Sequence, residues 1–156
     1  MKKIRVLFVC THNGARSQIA EAFANLAAGD RIQAHSASFE SENIGSVSIS
    51  VMAEIGIALQ SLPPKSIFER IKNKESFDYV IAVCDPDSPE QISIFLSAVD
   101  KLYHKTARRL NWSIPNFRSL TGTKEEKQAK ARQIRDKIKA NVLSLLSELG
   151  LDSDSG

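Results

Sequence analysis

The stretch VLFVCTHNGARSQ, Val6 to Gln18, decides how the rest of the chain is read. It continues an apolar run, Ile4 to Cys10, of the kind a parallel strand shows when both its faces are covered. From Ser17 the pattern turns helical: Ile19, Ala20, Phe23, Ala24 and Ala27 fall on one face, and Gly29 with Asp30 end it. Between strand and helix lies a short turn. Gly14 lets it curl tightly, and Asn13 tolerates left-handed backbone. Such a turn suits an anion, because successive N–H groups form a nest and the following helix points its positive end at the ligand. Arg16 adds a planar fork for two oxygens of a tetrahedral anion. The same charges favour the thiolate of Cys10, and Ser17 can donate a hydrogen bond to the sulfur. The turn is therefore read as holding an oxyanion while Cys10 attacks it.

Outward from this stretch, strands and helices alternate. Arg31 to Ala37 reads as a second strand, and a helix with Val47, Val51, Met52 and Ile55 at helical spacing follows. A two-proline turn and a short helix lie within Ser61 to Lys74. Phe77 to Cys84 is a further buried strand, and Asp87 to Val99 a helix with proline in its first turn. Either Asp100–Lys105 or Ala107–Trp112 holds the next strand. The last helix starts with a capping box, Thr123 and Glu126, and carries the stripe Ile134, Ile138, Val142, Leu145 and Leu149. The alternation predicts a parallel α/β sheet with helices on both faces, with ligands bound beyond the carboxyl ends of the strands. Cys10 and Cys84 both stand at such ends.

The totals agree with this. The 156 residues suit one domain, read as residues 1–150 with a disordered tail at 151–156. Apolar residues make up 42% and charged residues 25%, as in ordinary globular chains. No apolar run is long enough to span a bilayer, and the basic-then-apolar start is read as a strand rather than a leader. A net charge of +3 does not call for nucleic acid. Basic residues crowd the stretch from Lys101 to Lys139, read as a solvated helix face, with an anion-drawing field as the sharper alternative. A cytoplasmic protein with no nucleic-acid or membrane partner is expected. Two cysteines there suggest chemistry or burial more than a staple.

CTHNGARS, Cys10 to Ser17, resembles the Cys-x5-Arg-Ser loop of the low-molecular-weight protein tyrosine phosphatase superfamily, which includes thiol-linked bacterial arsenate reductases. HSAS from His35, MAEIGIAL from Met52, FDYVIAVC and RQIRDKIKANVLSLL follow in the expected order. The resemblance implies a four-stranded parallel sheet with helices on both faces. It implies Cys10 as nucleophile, with Thr11, His12, Asn13, Gly14, Ala15 and Arg16 forming the oxyanion loop. Arsenate and phosphate are the implied substrates.

Both branches begin with thiolate attack on phosphorus or arsenic. A phosphatase then needs a general acid and water. A reductase needs a second thiol, which leaves a disulfide for an external reductant such as thioredoxin or glutathione. Cys84 stands where thioredoxin-linked reductases carry a cysteine, which makes it the candidate resolving thiol. Those relatives have a third cysteine a few residues on, where this chain has Gln91. Both branches place an Asp-Pro pair before the last helix, and here Asn116 and Phe117 occupy it. An amide gives up no proton, so ester hydrolysis should lose about 10²–10⁴-fold unless Asp85 or Asp87 substitutes.

Thioredoxin-linked relatives often bind a cation at groups matching Asn13, Glu21 and Ser36 plus an acid. The acid's place is Lys65 here, so its ammonium is expected to stand in for the cation. His35 and His104 have no partners at metal-ligand spacing, and no metal or bound cofactor is expected. Two alternatives stay open. One is a phosphatase acting on phosphotyrosyl proteins, with Phe39 and Phe117 at its rim. The other is a catalytically weak oxyanion- or phosphopeptide-binding protein.

Overall fold

The computed structural model describes residues 2–10, 15–39, 44–59, 66–84, 97–98, 100–101 and 108–151. Its strands are β1 (Ile4–Cys10), β2 (Ile32–Ser38), β3 (Tyr79–Cys84) and β4 (Arg108–Ser113). Its helices are α1 (Ala15–Ala28), α2 (Ser46–Ala53), α3 (Ile67–Lys72) and α4 (Lys124–Glu148), with a 3-10 turn at Phe117–Ser119. The strands form one parallel sheet in the order β2-β1-β3-β4. The expected four-stranded architecture is therefore present, and Ala107–Trp112 is the reading of the fourth strand that holds.

Strand order explains where a site must lie. The chain runs from β1 to β2 on one side, then crosses back to β3 on the other. The carboxyl end of β1 is thus the point where strand order reverses, and Cys10 occupies it. Alternation along β1 feeds two cores. Val6, Phe8 and Cys10 pack with Ile81 and Val83 against α1, α2 and α4. Leu7 and Val9 pack with Val80, Ala82 and Cys84 against Ile67 of α3. Helices thus cover both faces.

β2 is an edge strand, and its open side is closed by specific groups. The Asn25 side chain of α1 both donates to the Ala34 carbonyl (3.1 Å) and accepts from the Ala34 amide (2.9 Å), as a neighbouring strand would. Arg70 of α3 takes the Ser36 carbonyl, and Ser66 bridges Ser38. Backbone groups that would otherwise stay unpaired at this edge are thereby satisfied.

The expected capping box of α4 is formed on both sides, Thr123 with Glu126. Ile55 departs from expectation. It lies beyond α2 and is 42% exposed, because the helix ends before Gly56, whose φ of +80° cannot continue it. Leu151 is tied by its carbonyl to Arg31 Nη2 at 2.7 Å. The helix predicted over Asp87–Val99 falls outside the described residues except at Ser97 and Ala98, which are helical, and residues 152–156 fall outside them too. Among the described residues no helix is long and apolar enough to cross a membrane.

Candidate active site

The site is built on the strand end and the helix that follows. Cys10 ends β1, and its Sγ lies 3.2 Å from the Ser17 Oγ in the first turn of α1. Ser17 is fully buried, and its hydroxyl also donates to the Ala37 carbonyl of β2 at 3.4 Å. The Cys10 carbonyl in turn accepts from the Phe39 amide at 3.3 Å. The nucleophile candidate is therefore held between the β1 terminus, the α1 terminus and the end of β2. Sulfur packed against the first turn of a helix meets that helix's positive end.

Arg16 is 2% exposed, an unusual place for a guanidinium. Its Nη1 donates to the Ile114 carbonyl at 2.8 Å, just beyond β4. Its Nη2 is buried and finds no hydrogen-bond partner among the described residues. A buried cationic donor without a partner costs stability. A bound oxyanion is the natural group to satisfy it. Ala15 opens α1 and is buried. Thr11, His12, Asn13 and Gly14, the rest of the expected anion loop, lie outside the described residues.

Cys84 ends β3 on the neighbouring strand. Register pairs Cys10 with Val83, so Cys84 is one residue out of step. In a parallel pair that single step turns the side chain to the opposite face. The two thiols share a sheet edge, Cys10 in one core and Cys84 in the other. Burial pushes the Cys84 thiol above its ordinary value, and the nearby Arg16 charge offsets part of this.

Asn116 is buried and already employed. Its Oδ1 accepts the Arg118 amide at 3.0 Å, capping the 3-10 turn, while its carbonyl accepts from Ser119 Oγ at 2.9 Å. Phe117 is buried in the core rather than at a rim. Phe39, just past β2, packs its ring against the Cys84 core and meets Phe68 edge-to-face, 5.6 Å between centroids. Asp85, Asp87, Gln91 and His104 lie outside the described residues.

Glu21 and Ser36, expected near a cation, do meet: Ser36 Oγ donates to Glu21 Oε2 at 3.1 Å. Burial raises the Glu21 carboxyl, against the Ser36 hydrogen bond and the charge of Arg70. The cation beside them is Arg70, a residue the sequence reading passed over. Its Nε and Nη2 both hold the Ser36 carbonyl, at 3.0 and 2.8 Å. Among the described residues, the Ser36 carbonyl is thus already held by a fixed positive charge. Lys65, expected to supply that charge, is outside the described residues. Ser17, Glu21 and Asn25, four residues apart along α1, each bond to β2. That spacing was a signal available in the sequence.

Comparison with known proteins follows the same lines. Over 147 residues the chain is 29% identical to the arsenate reductase of Bacillus subtilis, covering 93% of this chain and 96% of that protein. Over 86 residues it is 37% identical to the glutaredoxin arsenate reductase of Synechocystis sp., covering 54% of this chain and 61% of that protein. The low molecular weight protein tyrosine phosphatase from T. tengcongensis shares the fold, with a TM-score of 0.69 at 20% identity over 94% of this chain and 99% of that one. Residues 5–155 match the model of the low molecular weight phosphotyrosine protein phosphatase family, and the chain belongs to that family.

Proposed function

We propose that this protein is an arsenate reductase working in the cytoplasm, where thiols stay reduced. Cys10 attacks arsenic, an S–As bond forms, and one arsenate oxygen leaves as water with a proton. Arg16 and the loop from Thr11 to Ala15 hold the remaining oxygens, and Ser17 steadies the sulfur. A second thiol then attacks the Cys10 sulfur. The S–As bond breaks, its electron pair stays with arsenic, and arsenite departs while the two thiols become a disulfide. Cys84 is the resolving thiol in this reading. Its burial on the opposite face means that the end of β3 must turn over before attack. An external thiol reductant, of the thioredoxin or glutathione type, reopens the disulfide, and no bound cofactor takes part.

The observation that carries the reading is Asn116. By the sequence resemblance it takes the place of a phosphatase's acid, and its side-chain oxygen is spent on a turn. Thiol attack on an arseno-cysteine has less need of such an acid. The named activity of the two arsenate reductase relatives supports the same choice.

Arsenite formation with thioredoxin or glutathione tests this. Wild type should produce arsenite, Cys10→Ser should not, and Cys84→Ser should stall after the first step. Arsenite from Cys10→Ser, or none from wild type with either donor, would overturn the reading. One observation favours a second function. The Phe39–Phe68 pair, on the Cys84 side of the strand ends, is a surface for an aryl ring, as in a phosphotyrosyl protein. Rapid aryl phosphate hydrolysis without arsenite formation would select it.

A further inference from the structure

The end of β2 forms one wall of the Cys10 site. Ala37 accepts the Ser17 hydroxyl, Ser38 pairs with Cys10, and Phe39 donates to the Cys10 carbonyl. One residue before this wall is Ser36, whose carbonyl takes two N–H groups from Arg70. The third contact of that guanidinium is Nη1 to Glu75 Oε1 at 2.9 Å. Arg70 is 6% exposed, so its charge is compensated inside the protein, by Glu75 in contact and by Glu21 at longer range.

We propose that Arg70 is a positioning residue for Cys10: its guanidinium is a built-in cation that pins the Ser36 carbonyl beside Glu21, where the Lys65 ammonium was expected to supply the charge. The role assigned to Cys10 rests on the function proposed above. A fork with two N–H groups on one carbonyl fixes the direction of that peptide as well as its distance. The next peptide carries the Ala37 carbonyl, which holds the Ser17 Oγ in place until its one proton turns to the Cys10 thiolate. Without Arg70, the Ser36 carbonyl and the Glu21 and Glu75 carboxylates lose their common cation, and the wall relaxes away from Ser17.

The test uses Arg70→Lys, Arg70→Met, Glu21→Gln and the Glu21→Gln/Arg70→Met pair. Two quantities are read: the single-turnover rate at which arsenate consumes the Cys10 thiol, in sodium or potassium salts, and the thermal midpoint. Wild type should react equally in both salts. Arg70→Met should slow by up to about 100-fold, as expected when a reacting group is displaced by about an ångström, with Arg70→Lys between. Guanidinium ion below denaturing concentration should restore part of the Arg70→Met rate. Glu21→Gln should cost less stability in the Arg70→Met background than in wild type, the non-additivity of a coupled pair. A potassium-stimulated wild-type rate, an unchanged rate in Arg70→Met, or additive midpoints without guanidinium rescue would overturn the proposal. Wild type inert to arsenate would instead overturn the proposed function, and the midpoint cycle would still decide whether Arg70 and Glu21 are coupled.

Discussion

Cys10 and Cys84 end adjacent strands at one sheet edge, yet their side chains enter different cores. The cause is the register that sets Cys10 beside Val83. A disulfide between them needs Cβ atoms brought to about 4 Å with the vectors facing, which side chains on opposite faces do not offer. Mild oxidation with diamide should therefore leave both thiols free in the resting protein. Intact mass with thiol labelling checks this, and a ready Cys10–Cys84 disulfide without arsenate would contradict the arrangement.

Ser17 lies between the sulfur and the Ala37 carbonyl. A hydrogen bond to a charged partner contributes about 1.5–3 kcal/mol, so Ser17→Ala should slow the first chemical step about tenfold to a hundredfold. Deleting a small buried hydroxyl should leave the fold intact. Stopped-flow measurement of the first step, beside a thermal melt, separates the two effects.

Asn116→Asp reinstates a carboxyl group where the acid is missing, and its Oδ1 can still cap the 3-10 turn. Aryl phosphate hydrolysis should rise, up to the roughly 10²–10⁴-fold that a general acid contributes. Steady-state hydrolysis of p-nitrophenyl phosphate by the two proteins measures it. No gain would mean that the acid is supplied elsewhere or that Asn116 does not face the leaving group.

Glu54, after α2, meets Arg132 and Gln128 of α4, and hydrogen bonds from those two groups, Arg132 foremost, hold its carboxyl down to about 2. A carboxyl lowered on folding stabilises above its ordinary range and loses that contribution as pH falls toward about 2. Glu54→Gln should therefore lower the thermal midpoint near neutral pH, with the gap closing in acid. The pair is solvent-exposed, so salt should narrow the gap as well. Melting curves across pH and ionic strength test both statements.

The fold and the heart of the site were legible because they depend on local pattern. The run from Ile4 to Cys10, the helix that follows and the capping box of α4 are short-range signals, and each took the expected form. Cys10 and Ser17 lie close in sequence, so their contact needed only the strand-turn-helix geometry. The face on which Cys84 lies was not legible. It depends on the pairing register of two strands far apart in the chain, where one residue reverses the answer. Arg70 was missed for a similar reason. On a short helix it reads as a surface charge, and only the open edge of β2 gives it a buried partner. Asn25 could have been found, since Ser17, Glu21 and Asn25 form a polar row on an otherwise apolar helix face.

The most direct test of the central claim is intact mass and free-thiol count of the fully reduced protein after arsenate, with phosphate as control. Arsenate alone should convert two free thiols into a Cys10–Cys84 disulfide and release arsenite. Two free thiols after arsenate, with no arsenite on adding thioredoxin or glutathione, would contradict it.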